Sequence, residues 1–260
     1  MSDSGSALVQ FAVADGIARV TLNRPEKRNA LNQELIVALK NALRRANVEP
    51  DVRVIILTGA GSDFCSGADL AALQMIATAS VEENLADARA LMELFLLIRS
   101  LERPVIAAVR GRALAGGCGL ATACDMVLAA RSSRFGYPEV RIGFVPAIVM
   151  AILRRNVSEK RAFELVTMGA EVGAEEAAAL GLVNRVLDDE AFDDEVDAFV
   201  QRFSRTSESA VALSKRLLYQ TDAMSFEDAL QFGVDENVIA RMSEDVRRGI
   251  NRFLSKTRSD

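Results

Sequence analysis

The sequence predicts an α/β fold whose first half alternates strands with helices and whose second half is mostly helical. Two apolar, β-branched runs at residues 52–57 and 105–109 have the length of buried strands, and each leads through a glycine-containing turn toward a helical pattern. This alternation indicates right-handed βαβ crossovers. A chain of 260 residues, half of them apolar, can also bury a substantial core.

The N-terminal elements follow in order from local signals. Residues 7–13 and 16–22 are predicted to form a hairpin around Asp15-Gly16. Leucines 31, 35, 39 and 43 recur at helical spacing, so a helix is expected over 32–48. Residues 71–83 follow neither period and are interpreted as a mobile flap near the site. An apolar helix over 85–101 then leads to the second buried strand.

The remaining elements are a third strand and a helical C-terminal half. Residues 126–130 are predicted to form the strand, and only 183–187 is expected to interrupt the helices as another short strand. The helical segments, each with an apolar face, are 146–154, 158–167, 174–180, 193–204, 208–219, 225–241 and 244–255.

Composition restricts the classes of function. The formal net charge of −5 argues against a broad nucleic-acid-binding face. No apolar run approaches the roughly 20 residues of a membrane span, and no targeting segment is recognised at the start, so a cytoplasmic protein without a membrane partner is expected. The three cysteines are Cys65, Cys118 and Cys124, none in a CxxC pair, and their odd number indicates a reduced compartment. Cys118 and Cys124 flank one helical segment and are expected to be buried thiols.

The chain contains no histidine. Ser-His-Asp and Cys-His catalysis and His-ligated metal sites are therefore excluded, and no metal is expected. Acid–base chemistry must fall to carboxylates, Lys, Tyr or water.

Two glycine-containing turns carry the functional signal. One runs from the strand at 105–109 through Gly111 into Ala115-Gly116-Gly117, and the other occupies residues 59–70. Backbone N–H groups at the start of a helix are unpaired and can face a ligand, and glycine lets a ligand approach the main chain. Together the two turns suit an oxygen that gains negative charge during a reaction.

Blocks of sequence in this order resemble the crotonase superfamily, the enoyl-CoA hydratase/isomerase family. They are LNRPEKRNALN, GAGSDFCSGADL, RPVIAAVRGRALAGGCGLATACD, FGYPEVRIGFVPA and ALGLVNRV. The resemblance implies a spiral of repeated ββα units with the acyl-CoA site in residues 1–200, and a helical cap and trimerisation region in 201–260. It also implies a homotrimer or a dimer of trimers.

The chemistry that this resemblance implies is stabilisation of an enolate formed from an acyl-CoA thioester. The N–H groups of Ala68 and Gly116 would bind the thioester oxygen, and coenzyme A would enter as part of the substrate, with no further cofactor. Losing one such donor costs around 3 kcal/mol of barrier.

The resemblance assigns one catalytic carboxylate, because Tyr137-Pro138-Glu139 keeps the family's second glutamate while Gly119 stands where the first would be. Glu139 is expected to be the general acid/base, with a pKa raised by burial. Ala147 counts against the family's dienoyl isomerases and hydroxyisobutyryl-CoA hydrolases, which carry Asp there. Glu139 itself counts against naphthoate synthases.

Recognition of the substrate and its coenzyme A is expected, by similarity, from three segments, at residues 24–30, 66–70 and 116–119, and from one distant lysine. Arg and Lys suit phosphate through charge and hydrogen bonding. The expected substrate and CoA contacts are Arg24, Lys27, Arg28, Ala30, Ser66, Ala68, Asp69, Leu70, Gly116, Gly117, Gly119 and Lys256.

Three functions remain open on these residues. Hydration of a 2-enoyl-CoA, with a branched acyl group as one option, is slightly favoured. A Δ3,Δ2-enoyl-CoA isomerase could use Glu139 alone, because one carboxylate can move a proton between two carbons. The third is a non-catalytic acyl-CoA-binding protein. If Gly119 only leaves room for water, Gly119→Glu should be tolerated sterically.

Overall fold

A computed structural model describes residues 7–69, 74–75 and 78–257, and these residues form a larger and a smaller sheet. The larger has six strands, of which β1 and β2 are antiparallel and the following neighbours are parallel. In spatial order they are β1 Val9–Ala14, β2 Ile17–Leu22, β3 Val54–Gly59, β4 Val105–Val109, β6 Met126–Ala130 and β9 Arg185–Leu187. The predicted hairpin is confirmed, and Asp15 and Gly16 both have the positive φ that its tight turn requires.

The smaller, three-stranded sheet is formed by strands too short for a periodicity to reveal. It contains β5 Arg112–Leu114, β7 Arg134–Gly136 and β8 Glu171–Gly173, with β7 in the centre. The expectation that only residues 183–187 interrupt the C-terminal helices is therefore wrong, because β8 pairs antiparallel with β7. This small sheet brings the ends of three distant segments together.

Ten α-helices lie among the described residues, close to the predicted ranges. Ser80 begins α2 with a reciprocal capping box to Glu83, four residues earlier than the apolar pattern suggested. Residues 71–73 and 76–77 of the expected flap lie outside the described residues. The helices are α1 Gln33–Val48, α2 Val81–Ser100, α3 Gly116–Ala123, α4 Ala147–Asn156, α5 Glu159–Met168, α6 Ala174–Leu180, α7 Phe192–Val200, α8 Glu208–Gln220, α9 Phe226–Met242 and α10 Glu244–Thr257.

The larger sheet is buried on both faces, which explains its continuous apolar runs. Ile55 and Leu57 of β3 belong to the main core with α1, α2 and α3. Val54 and Ile56 point the other way and pack with α7. Side chains alternate between faces along a strand, so each apolar run serves two layers.

The expected repeat of two strands and a helix is present. In the first unit β4 belongs to the large sheet, β5 belongs to the small sheet, and α3 follows. In the second unit β6 belongs to the large sheet and β7 to the small sheet, and a 3-10 helix at Pro138–Ile142 then precedes α4. Because β5 and β7 are parallel, the chain leaves both strands at the same edge of the small sheet. No helix of the described residues is long and apolar enough to cross a membrane.

Candidate active site

Residues 64–68 run parallel to the segment that leads into α3. The Cys65 N–H donates to the Arg112 carbonyl at 3.1 Å, and the Leu114 N–H donates to the Cys65 carbonyl at 3.0 Å. These bonds form a parallel bridge between Cys65 and Ala113. Gly67 contacts Ala115 and Gly117 contacts Cys65, so the two turns singled out in the sequence lie side by side.

Glycine is required where these two segments touch. A Cβ at Gly117 would lie 2.2 Å from the Cys65 carbonyl oxygen. A Cβ at Gly67, whose φ is +98°, would lie 2.9 Å from the Ala115 Cβ. Since real Cβ atoms do not approach this closely, both glycines permit the contact that aligns the turns.

The Ala68 and Gly116 N–H groups are available to a ligand. The parallel bridge between Leu31 and Ala68 uses the Gly67 carbonyl and the Asp69 N–H, which leaves the Ala68 N–H directed elsewhere. Gly116 is the first residue of α3, so its N–H has no intrahelical acceptor. Within the described residues neither N–H has a backbone acceptor. Ala68 is exposed and Gly116 is half-buried.

A strained residue orients the second of these amides. Ala115 precedes α3 with φ 50° and ψ −125°, a conformation that L-residues rarely adopt. Its own N–H donates to the Gly136 carbonyl at 2.8 Å, which fixes the turn to the end of β7. The same bond therefore holds Gly116 close to the segment that carries Glu139.

Glu139 lies in the 3-10 helix that follows β7 and is half-buried. Its Oε2 atom is buried and has no hydrogen-bond partner among the residues that the structure describes. Burial raises the pKa of this carboxyl, and a hydrogen bond from its own backbone N–H opposes the rise. A carboxyl in this environment holds a proton more readily than an exposed one, which suits a group that transfers protons.

A fully buried polar cluster lies behind Glu139. The Tyr137 hydroxyl is near the Cys118 thiol and the Thr122 hydroxyl, but it is not in hydrogen-bonding geometry with either. Burial raises the pKa of Tyr137 well above its ordinary value and that of Cys118 to about 12, and the Glu139 carboxylate adds to both shifts. Both groups therefore stay protonated beside the carboxylate. Cys118 and Cys124 are buried and free, as the sequence indicated, and Cys65 is buried and free as well.

The space beside Gly119 is filled by a side chain that the sequence did not single out. A Cβ built on Gly119 would lie 2.2 Å from Val149 Cγ1 and 3.1 Å from Phe95 Cζ. Val149 is β-branched and buried at the start of α4, so it cannot easily move aside. The expectation that Gly119→Glu is tolerated sterically is therefore wrong for this backbone, because Val149 occupies the volume that the glutamate would need.

The basic loop before α1 is joined to the turn at residues 66–69. Arg24 donates from Nη2 to Asp69 Oδ2 and from Nη1 to the Ala30 carbonyl, both at 2.7 Å, and its side chain is only 12% exposed. Buried Asn29, which sequence reasoning missed, donates to the carbonyls of Ala60 and Asp63. Arg24 is thus engaged within the protein.

The other expected CoA contacts fall on the same loop pair or outside the described residues. Lys27 and Arg28 are exposed, Ser66 is half-buried, and the Ser66 N–H donates to the Arg28 carbonyl at 3.0 Å. Leu70 and the Lys256 side chain lie outside the described residues. Where the structure describes the chain, no group of three Cys, Asp or Glu side chains could hold a metal ion.

Comparison with known proteins identifies the family. The model of the enoyl-CoA hydratase/isomerase family matches residues 12–260. A Thermus thermophilus protein, provisionally named an enoyl-CoA hydratase, is 40% identical over 240 residues, covering 92% of this chain and 95% of its own length. The crotonyl-CoA hydratase of Syntrophomonas wolfei is 34% identical over 246 residues, covering 94% of each.

Solved structures agree with the sequence comparison. The crystal structure of an enoyl-CoA hydratase from Mycobacterium smegmatis superposes with a TM-score of 0.91 at 34% identity, covering 96% of this chain and 97% of that one. The two sheets, the ββα units and the paired turns thus occur in a chain whose relatives are named as hydratases. This protein belongs to the enoyl-CoA hydratase/isomerase family.

Proposed function

We propose that this enzyme hydrates a 2-enoyl-CoA thioester, with a linear or branched acyl group. The observation that carries the proposal is the alignment of two turns with available N–H groups, Ala68 and Gly116, beside the segment that carries the half-buried carboxyl of Glu139. Two fixed donors suit a thioester oxygen that becomes an enolate oxygen, and a carboxyl of raised pKa suits proton transfer. The relatives' names support the same reaction.

In the proposed mechanism Glu139 serves as base and then as acid. Ionised Glu139 takes a proton from a water molecule, whose oxygen forms a bond to C3 of the enoyl group. The C2=C3 electron pair moves into the thioester, and the Ala68 and Gly116 N–H groups stabilise the enolate oxygen. Protonated Glu139 then delivers its proton to C2 and is ionised again. The product is the 3-hydroxyacyl-CoA.

Coenzyme A binding is assigned to the loop pair around residues 24–31 and 66–69. Exposed Lys27 and Arg28 supply charge to the phosphates. Arg24 acts indirectly, because its Nη atoms join Asp69 and Ala30 and thereby fix the two loops. Coenzyme A is part of the substrate, and no other cofactor takes part in the proposed chemistry.

One observation favours a second candidate, a Δ3,Δ2-enoyl-CoA isomerase. Val149 fills the space beside Gly119, so no second carboxylate can stand at that position to help hold water. A single carboxylate can instead remove a proton from C2 and return it to C4 without water. The isomerase would use the same two N–H groups for the dienolate oxygen.

The two candidates differ in whether water is added. Purified enzyme is incubated with a 2-enoyl-CoA and, separately, with a 3-enoyl-CoA in water enriched in oxygen-18, and the products are resolved by mass. The hydratase incorporates one labelled oxygen into the product of the 2-enoyl substrate. The isomerase converts the 3-enoyl substrate without change of mass. An acyl-CoA complex that turns over neither substrate would instead identify a non-catalytic binding protein.

Assembly and organisation complete the proposal. A homotrimer or a dimer of trimers is proposed, with residues 1–200 as the core and 201–260 as cap and contact region. Large apolar side chains on α9 and α10 are exposed in the single chain, among them Phe226 at 78% and Phe253 at 71%. Sedimentation velocity of the full chain measures the assembly, and a monomer at micromolar concentration would reject it.

A cytoplasmic location is proposed from the sequence expectation.

A further inference from the structure

Asp63 is a buried carboxylate in the turn that leads to Ala68, and its side chain is only 6% exposed. Its Oδ1 atom accepts from the backbone N–H of Arg112 at 2.9 Å, and its Oδ2 atom accepts from the Ser62 hydroxyl at 3.2 Å. Among the described residues it has no cationic partner, since the guanidinium of Arg112 pairs with Glu171. Burying a carboxylate is costly unless its oxygens are hydrogen-bonded, so these two bonds hold the charge in place.

The Asp63 side chain takes the place of a backbone acceptor. In a regular parallel ladder that contains the bridge between Cys65 and Ala113, the Arg112 N–H would donate to the Asp63 carbonyl. That carbonyl instead accepts from Nδ2 of Asn29 at 2.8 Å. The carboxylate supplies the missing acceptor, so the Arg112 N–H is paired at the point where the ladder begins.

The backbone opposite Asp63 is shaped for this approach. Gly111 has a φ of +59°, and a Cβ built on it would lie 1.9 Å from the Ser62 carbonyl oxygen and 2.8 Å from Asp63 Oδ1. Only glycine fits so close to another backbone segment. Asn29, Asp63 and Arg112 therefore join three segments of the chain that meet at the candidate site.

The register of this ladder decides which residues of the two turns touch. The backbone of Gly117 lies against the Cys65 carbonyl, and Gly67 lies against the Ala115 Cβ. A slip of one residue would displace one turn along the other by about 3.3 Å and place larger residues at these contacts. A displacement of this size would separate two N–H donors that must both lie about 3 Å from one oxygen.

From these contacts we propose that Asp63 is a positioning residue, which fixes the register between the turn at residues 59–69 and the segment entering α3 and so aligns the Ala68 and Gly116 N–H groups. The inference rests on the proposed function, which gives those two donors their role. Both Asp63 oxygens are bonded to protein, so the residue acts through the Arg112 amide. The role requires an acceptor oxygen at this place and no charge, and asparagine can therefore fill it.

The test compares Asp63→Ala, which removes the acceptor, with Asp63→Asn, which keeps an oxygen for Arg112 and can donate to the Ser62 hydroxyl. Asp63→Ala is expected to lower kcat about 100-fold, because displaced donors fail where charge develops. Its Kd for butyryl-CoA should stay within about fivefold, since the donors contribute little to ground-state binding. Asp63→Asn should keep kcat within about threefold of wild type. Calorimetry with butyryl-CoA also counts the intact sites per chain.

A second readout needs no turnover. Butyryl-CoA labelled with carbon-13 at the thioester carbonyl is bound to each protein, and its resonance is recorded. Two aligned donors polarise the carbonyl and move its resonance downfield, and Asp63→Ala should lose about half of this shift or more. Asp63→Asn should retain it. The matched control is Asn184→Ala, because the Asn184 side chain likewise accepts from a strand amide, that of Val127 at 2.8 Å, away from both turns. Its kcat and carbonyl shift should equal those of wild type.

The outcomes separate this inference from the proposed function. A downfield shift in wild type that persists in Asp63→Ala would overturn the positioning role and leave the two donors assigned. The absence of any shift in wild type would reject the donors themselves. If Asp63→Asn loses kcat and the shift despite native circular dichroism, the charge of Asp63 matters and the inference is overturned. This last comparison holds even where Asp63→Ala does not fold.

Discussion

Lys215 Nζ lies 2.7 Å from Asp125 Oδ2 and joins α8 to the strand-helix core. The same ammonium donates to the carbonyls of Ile98 and Arg103. Burial lowers the pKa of Lys215, and the adjacent Asp125 carboxylate opposes that shift. The buried charge is therefore tolerated because all three of its donors are used.

Lys215→Met is expected to lower the free energy of unfolding by about 3 kcal/mol, because it leaves the Asp125 carboxylate in a buried place without its cation. Urea unfolding followed by circular dichroism measures this change. Arg248→Met removes an exposed arginine from its pair with Asp245 and should leave the midpoint unchanged. If the Lys215 variant has the same urea midpoint of unfolding as the wild-type protein, the ion pair does not anchor α8.

Gly119→Ala is expected to destabilise the protein by roughly 1–3 kcal/mol, because its Cβ would overlap Val149. The control is Gly233→Ala, which is also in a helix but meets nothing within 4 Å and should gain up to about 1 kcal/mol. A double-mutant cycle with Val149→Ala completes the measurement. In the Gly119→Ala protein, the second substitution Val149→Ala should recover some of the lost stability. If the two changes in the free energy of unfolding are strictly additive, Val149 does not fill that space.

Local signals in the sequence predict much of this fold. Asp15-Gly16 specifies its hairpin turn because both residues accept positive φ. The apolar pattern places α6 at residues 174–180 as observed. The strands β5, β7 and β8 have three residues each, so they are too short to show a period, and their pairing depends on segments far apart in the chain.

The candidate site is less predictable because it depends on long-range contacts. Glycine-containing turns mark where amides can face a ligand, but only the bridge between Cys65 and Ala113 shows that the two turns meet. The charge of Arg24 suggests a phosphate contact, whereas Asp69, 45 residues later, engages it. In the sequence Val149 is an ordinary apolar residue of a predicted helix, and only the structure shows its contact with Gly119.

The two-donor assignment makes a geometric prediction. In a crystal soaked with an acyl-CoA, the thioester oxygen should lie about 3 Å from both the Ala68 and the Gly116 nitrogen atoms. Difference density at the two turns locates that oxygen directly. A thioester bound elsewhere, with both amides facing protein acceptors, would reject the assignment.

Glu139→Gln is expected to lower kcat/KM at least about 100-fold, because the amide cannot accept and return a proton. Affinity for a saturated acyl-CoA should remain within about tenfold, since the carboxylate contributes mainly to proton transfer. Stopped-flow assays and calorimetry separate the two effects. Wild-type turnover in this variant would remove Glu139 from the mechanism.

The wild-type pH profile should show the raised pKa of Glu139. Hydration begins with the ionised carboxylate, so kcat/KM is expected to fall as the pH decreases through its pKa. Burial raises that pKa, and the midpoint should therefore lie above the range of an exposed glutamate. A midpoint within the ordinary range would show that Glu139 is solvated in the working enzyme.

Stability should reveal the same carboxyl without any substrate. A raised native pKa means that the folded protein binds this proton more tightly than the unfolded chain, whose glutamates titrate near about 4.3. The contribution of Glu139 to stability is therefore greatest at low pH and falls as the pH rises from the unfolded pKa through the native one. Glu139→Gln carries no titrating group, so its stability relative to wild type should increase across that window and stay constant above it. Urea unfolding at a series of pH values measures the difference, and Glu190→Gln, an exposed turn residue, controls for the amide substitution itself. A difference that does not change with pH would mean that burial does not disfavour the Glu139 charge in the folded protein.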